Sequence, residues 1–462
     1  MTFPLGKPIL AMLVIAVLCG MGVMLRPSPA RKDLVVWVFD EQHAQTYRPL
    51  IAQYQKHTGR SVDLQLVSNR ALNVRLSSIF SSGLRGGQVP DLVELEIGNI
   101  AKFFRAPADD IGFLPLNAYM DRRLGGKPDS ALRGQLLASR LAPWTRDGLV
   151  FGIPHDVHPV TLTYRQDLFH EAGIDDLEAA VTWEEFRRKC VAAQQAWRAA
   201  GHPARRALEL PRYSPDYLIA MLLQRGINLV DGSGKIWLDD PRVAQTTAFY
   251  AGLVAGPERI AAASSSAPGA VARDLGEGTL AAIFTPDWRL GTLELPRYAP
   301  ELAGRLRMMA LPVFEPGRDV PTSTWGGTMM GIPRVAAHPD DAWDLLSFLY
   351  FSPEGLAARR AATHIIPPMP SAWADATYQR PDAFFGGQKI DELYVRLGAQ
   401  IPSRDMSPGV LLAQGELAVV LYWTVNRLES AGSAGLEEAC GQWLRDASRD
   451  LKRRMDQGRL EQ

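Results

Sequence analysis

Two periods of apolar spacing divide the chain from its first predicted strand onward. Leu34-Val35-Val36-Trp37-Val38-Phe39 is an unbroken apolar run, the pattern of a strand covered on both faces. A polar cluster, Asp40-Glu41-Gln42-His43, ends it, and Tyr47, Leu50, Ile51 and Tyr54 then recur at helical spacing up to Gly59. Pro49 is expected in or near the first turn of that helix, because deeper inside it removes a backbone hydrogen bond. Val62 to Val67 predicts a second strand, and Leu72, Leu76, Ile79 and Phe80 predict a second helix. Leu92 to Ile97 predicts a third strand. Strands alternating with helices predict a parallel sheet wrapped on both sides.

The middle of the chain is more helical. Thr182-Trp183-Glu184-Glu185 has the spacing of a capping box, in which the Thr182 hydroxyl and the Glu185 carboxylate each satisfy an amide of the other. Asp240-Pro241 and Ser352-Pro353-Glu354 are further helix starts. Strands are predicted at Val160 to Tyr164, Ala281 to Phe284 and Thr328 to Ile332, and helix from Val410 almost to the end. Ala261 to Gly269 is rich in small residues and is expected to be a loop.

Composition narrows the function classes. In 462 residues, 50 Lys and Arg balance 50 Asp and Glu, so no net charge draws the chain to nucleic acid. The three cysteines, Cys19, Cys190 and Cys440, lack the paired spacing of a zinc module or a disulfide framework. No HExxH, GxSxG, P-loop or GxGxxG sequence is present, which counts against hydrolase, nucleotide and dinucleotide chemistry.

One segment departs from this globular picture. Pro8 to Leu25 is uncharged and apolar between Lys7 and Arg26, and Ser28-Pro29-Ala30 follows. Its length lies between a signal-peptide core and a short membrane span. Residues 1–32 are therefore expected to be a signal peptide or a retained membrane anchor, with the rest of the chain outside the cytoplasm. Leu18 precedes Cys19 where a lipoprotein needs a small residue, so lipidation is not expected.

Candidate chemistry gathers at strand ends. Glu94 and Glu96 have strand spacing near a carboxyl end, where open α/β sheets place their ligands. They read either as acceptors for a ligand hydroxyl or as a general acid and base. His155-Asp156-Val157-His158 reads as a hydrogen-bonding cluster or as part of a metal site that lacks its remaining ligands. Neither a metal nor a cofactor is expected. Trp288, after Thr285-Pro286-Asp287, and Trp325, before Gly326-Gly327, stand in turns beside strands. An indole there is placed to stack on a sugar face, unlike Trp343, which shares a helical stripe with Leu346 and Tyr350.

An ordered series of segments resembles the family 1 extracellular solute-binding proteins of bacterial ABC importers, which include maltodextrin binders. It runs from about Leu34 to Leu451. Gly86-Gly87-Gln88-Val89-Pro90-Asp91-Leu92-Val93 is followed by Ile111-Gly112-Phe113-Leu114-Pro115-Leu116 and Phe151-Gly152-Ile153-Pro154. Leu162-Thr163-Tyr164-Arg165-Gln166-Asp167-Leu168-Phe169 comes next, with Arg165 and Gln166 in place of the family's asparagine and lysine. Thr182 to Phe186, Gly278 to Phe284 with Trp288, Gly326 to Pro333 and His338 to Trp343 complete the series.

The resemblance implies a two-lobed α/β fold, the type II periplasmic-binding-protein fold, with a ligand cleft between lobes joined by strand crossovers. It assigns residues 33–154 plus 285–324 to lobe one and 155–284 plus 325–462 to lobe two. Positions that meet ligand in the family fall here on Asp40, Glu41, Glu96, Asn99, His158, Tyr213, Asp287, Trp288 and Trp325, while Asp91 is expected to stabilise a turn. The implied activity is capture of a small solute, a sugar or oligosaccharide, by a monomer that delivers it to an ABC permease, without enzymatic turnover. A tethered ligand sensor of the same fold, or a glycosidase using Glu94 and Glu96, is the alternative.

Overall fold

The structure, a computed structural model, describes Met12 and residues 14–18, 32–83, 89–121 and 132–458. Cys19, Ser28-Pro29-Ala30, the Gly86-Gly87-Gln88 turn and most of residues 8–25 lie outside the described residues. Among the described residues no helix is long and apolar enough to cross a membrane.

The first three strands are β1 (Leu34–Val38), β2 (Val62–Leu66) and β3 (Leu92–Glu96). β1 pairs in parallel with β2 and β3, as the alternating pattern predicts. Asp91 holds the entry to β3, accepting from the Val35 amide at 3.0 Å and the Ala337 amide at 3.2 Å. Helix α1 (Glu41–Thr58) starts eight residues before Pro49, because the Asp40 carboxylate accepts from the Gln42 and His43 amides and fixes the first turn there. Pro49 thus lies inside the helix, not in its first turn, and buried Tyr47, Leu50, Ile51 and Tyr54 hold the helix against the sheet.

Two further strands complete a five-stranded sheet in the order β2-β1-β3-β8-β4, where β4 is Ile153–Pro154 and β8 is Thr328–Gly331. β8 runs antiparallel to both its neighbours. A second sheet has the order β6-β5-β7, from β5 (Val160–Arg165), β6 (Ala282–Pro286) and β7 (Leu306–Ala310). It is antiparallel throughout, unlike the parallel sheet predicted from the first elements.

Sheet membership redraws the expected lobe division. Thr285 to Thr324 was assigned to the first lobe, but its strands pair with β5 in the second sheet. Trp325 onward was assigned to the second lobe, but β8 pairs with β3 and β4 in the first. Helices α9 (Pro339–Phe351) and α10 (Pro353–Ala362) also pack against α1. An apolar run announces a strand but not its partner, which long-range packing selects.

The chain therefore crosses between the two sheets three times, at residues 155–159, 311–327 and 363–365. Beyond the third crossing, Ile366 enters the second sheet's core, and α11 (Ile390–Gly398) packs on β7. Helices α12 (Val410–Ala431) and α13 (Leu436–Asp456) close the far side against α7 (Pro241–Val254). The predicted capping box forms at the start of helix α5 (Trp183–Ala199). Ala261–Ala262, expected in a loop, makes a short parallel pairing with Leu208–Glu209, and Cys190 and Cys440 are buried free thiols.

Candidate functional site

The three crossings meet on one buried group of charges. Arg140, on α4 (Ala138–Leu141), is fully buried. It donates from Nε to the Asp156 carbonyl at 2.9 Å, from Nη2 to Asp156 Oδ1 at 2.7 Å and from Nη1 to Thr324 Oγ1 at 2.9 Å. The other oxygen of Asp156 accepts from the Thr328 amide at 2.9 Å. Arg359 of α10 donates to the His155 carbonyl at 2.6 Å.

His158 lies between two carboxylates, with Nε2 3.0 Å from Asp156 and Nδ1 2.5 Å from Asp287. Burial alone would lower its pKa, but Asp156 and Asp287 outweigh that and lift it to about 9. Burial would likewise raise Asp156, yet His158, His155 and Arg140 hold that carboxyl well below the usual range. His155 is driven the other way, well below 6.5, by burial and by Arg359. The cluster anticipated as hydrogen bonding is therefore an ion-pair ladder. Both ring nitrogens of His158 are used within it, which leaves the buried ring no free nitrogen for a solute.

Beside the ladder stands an aromatic wall. Asp287 and Trp288 open α8 (Asp287–Leu293) at the end of β6, and Asp287 Oδ1 accepts from the Trp288 amide at 2.8 Å. The Trp288 indole donates to the Trp325 carbonyl at 2.8 Å, and the two rings meet edge to face at 5.8 Å. Tyr217 packs on Trp325 with centroids 4.4 Å apart. Behind them Glu209 accepts from Arg289 at 2.7 Å and from the Tyr217 hydroxyl at 3.1 Å. Gly326 has φ 91° and needs to be glycine, since a Cβ there would lie 3.1 Å from the Trp288 indole nitrogen and 3.3 Å from the His158 ring.

Polar groups of the first sheet adjoin this wall through Gly327, whose carbonyl accepts from the Ile97 amide at 2.8 Å. Glu96 caps α3 (Ile97–Phe103), accepting from the Gly98 amide at 2.9 Å and the Asn99 side chain at 3.2 Å. Asn99 also donates to Asn69 at 3.2 Å. Burial raises the Glu96 carboxyl, against the Gly98 amide and the charge of Arg404, which lower it. Such a half-buried set of carboxylate and amides can accept from and donate to hydroxyl groups without becoming a nucleophile.

The remaining sequence candidates separate. Asp40 spends its carboxylate on the α1 cap, and Glu41 is exposed beside Gln45 and Arg48. Tyr213 is 41% exposed and rests 5.2 Å from Tyr422 of α12. Glu94 is buried in the first core, where it accepts from Tyr47 at 2.7 Å and lies 3.2 Å from His43. It cannot face Glu96 across a sugar bond as a glycosidase pair requires. Tyr217, Arg289, Arg140 and Arg404 were not picked out from the sequence. Arg289 alone carried a signal there, as the neighbour of Trp288.

Comparison with known proteins decides what such a site belongs to. The family of bacterial extracellular solute-binding proteins matches residues 80–386. The chain belongs to that family. It is a solute-binding protein that acts outside the cytoplasm, not an enzyme. This solute-binding protein is 22% identical to an arabinooligosaccharide-binding protein of Halalkalibacterium halodurans, over 86% of this chain and 85% of the relative. A lactose-binding protein of Rhizobium radiobacter is 26% identical over 56% of this chain and 59% of its own. The sugar-binding protein MalE of Xanthomonas citri has the same fold, with a TM-score of 0.69 at 18% identity, covering 91% of this chain and 99% of that one. The solute-binding protein is thus a two-lobed periplasmic-binding-protein fold of type II.

Proposed function

We propose that the solute is a saccharide, held between the lobes and handed to an ABC permease in the membrane. The observation that carries this reading is the Trp288–Trp325 wall beside Glu96 and Asn99, all close to the crossovers. Aromatic rings pack on the C–H faces of sugars, and a carboxylate with neighbouring amides serves their hydroxyls. The saccharide-binding relatives support the same class. Lobe one comprises residues 33–154 and 328–362, and lobe two comprises residues 160–310 and 366–458, of which Met369, Met406 and Val410 pack into the cores of lobe one. The protein acts as a monomer, with residues 8–25 either tethering it to the membrane or removed on export.

Isothermal titration against arabino-, galacto- and malto-oligosaccharides tests this reading, with a polyamine and a divalent metal as controls. Saturable heat with a saccharide is expected, and binding to a control alone would reject the carbohydrate class. Trp288→Ala should weaken saccharide binding by about 1–3 kcal/mol. Unchanged affinity together with a lowered melting temperature would show that Trp288 only fills the core.

A further inference from the structure

The ladder of Arg140, Asp156, His158 and Asp287 spans the boundary between the lobes. Asp156 is fixed to lobe one through Arg140 and the Thr328 amide. Asp287 is fixed to lobe two as the first residue of α8, and its Oδ2 accepts from the Ile366 amide at 3.1 Å, just past the third crossing. Between them stands His158 in the first crossing, and the Trp325 amide of the second crossing donates to its carbonyl at 3.4 Å. The first two connections thus meet at His158, and the third meets its partner Asp287.

The conformation of His158 has been selected at a cost. It is one of the few described residues other than glycine with a left-handed backbone, at φ 56°. Such a residue persists only where its surroundings over-determine it. We propose that His158 is a positioning residue that holds the two lobes in register for solute capture, as an imidazolium clamped between a carboxylate of lobe one and a carboxylate of lobe two. This deepens the saccharide-cleft reading and rests on it only for the identity of the solute.

Electrostatics supplies the coupling. With His158 protonated, the two carboxylates are joined across the boundary. With it neutral, Asp156 keeps Arg140, but Asp287 loses the cation bonded to it, and the two anions repel across the boundary. The other charged groups around the ladder include His155 beside Asp156, Arg359 on the His155 carbonyl, His43 with its partner Glu94 against the His155 ring, and His364 with its partner Asp391 at 2.8 Å, near Asp287. His155 is held neutral by burial, so His158 is the group that can change charge between the two carboxylates.

The test uses small-angle X-ray scattering of the full solute-free chain together with saccharide titrations. The wild-type chain should expand reversibly as the pH rises from about 7.5 to about 10, while remaining folded by circular dichroism. His158→Gln should be expanded already at about pH 7.5, show no further expansion, and bind the solute about tenfold or more weakly. The double variant His158→Gln with Asp287→Asn removes one of the opposed charges and should recover most of that affinity. A wild-type radius of gyration that does not change with pH, or an alkaline expansion that persists in His158→Gln, overturns the proposal. The wild-type titration keeps the test decisive if the variant fails to fold. Because the scattering needs no ligand, failure of the saccharide reading leaves this result interpretable.

Discussion

Arg140→Ala should destabilise the chain by about 3–5 kcal/mol, the range expected when one partner of a buried ion pair is removed. The residue is 0% exposed, and its three donors reach two crossings at once, through Asp156 and Thr324. Deletion leaves the Asp156 carboxylate buried without its lobe-one cation and opens a space below Gly327, where a Cβ would lie 2.6 Å from the Arg140 Nη2. Denaturant unfolding checks this. Arg140→Lys should fall between the two, because an ammonium keeps the charge but not the planar fork that serves both acceptors. A loss within about 0.5 kcal/mol would place Arg140 with ordinary surface residues and refute the shared-anchor role.

Stability should also fall on the alkaline side because of His158. Its folded pKa of about 9 lies above the ordinary 6.5, so its contribution is complete below the lower value. It disappears as the pH rises through the higher one. The difference corresponds to about 3 kcal/mol at full titration. Wild-type stability minus that of His158→Gln, measured from about pH 6 to about pH 10, isolates this contribution from other ionisations. The gap should be widest at the acid end and close near the alkaline end. A gap that stays constant with pH would mean that His158 acts through shape alone.

What the sequence discloses follows from the range of the interactions involved. The start of α5 and the starts of the helices at Pro241 and Pro353 were legible because each is fixed by a side chain within three residues of its target. The strand at Thr328–Gly331 was legible as a strand, but its partners β3 and β4 lie far away in sequence. Periodicity does not encode that choice. Glu94 and Glu96 look alike in a period of two, yet the strand ends at Glu96. One carboxylate caps a helix, and the other is enclosed by Tyr47, His43 and Tyr350.

The candidate site was legible to the same limited extent. Trp288 and Trp325 stood out because they adjoin strands without belonging to an apolar stripe; Trp288, expected in a turn, lies in the first turn of α8, and the structure brings the two rings into contact. His158 and Asp287 were picked as solute contacts, and the fold uses both to join the lobes. Arg140 occupies a short helix with nothing local to mark it, since its partners Asp156 and Thr324 are distant in sequence.

The account stands or falls on whether a saccharide draws the lobes together. Scattering from the full chain, recorded without sugar and then with each oligosaccharide at saturation, measures this directly. The account predicts a smaller radius of gyration with at least one oligosaccharide, and none of that contraction in Trp288→Ala at the same sugar concentration. A saccharide that binds tightly yet leaves the scattering profile unchanged would contradict it.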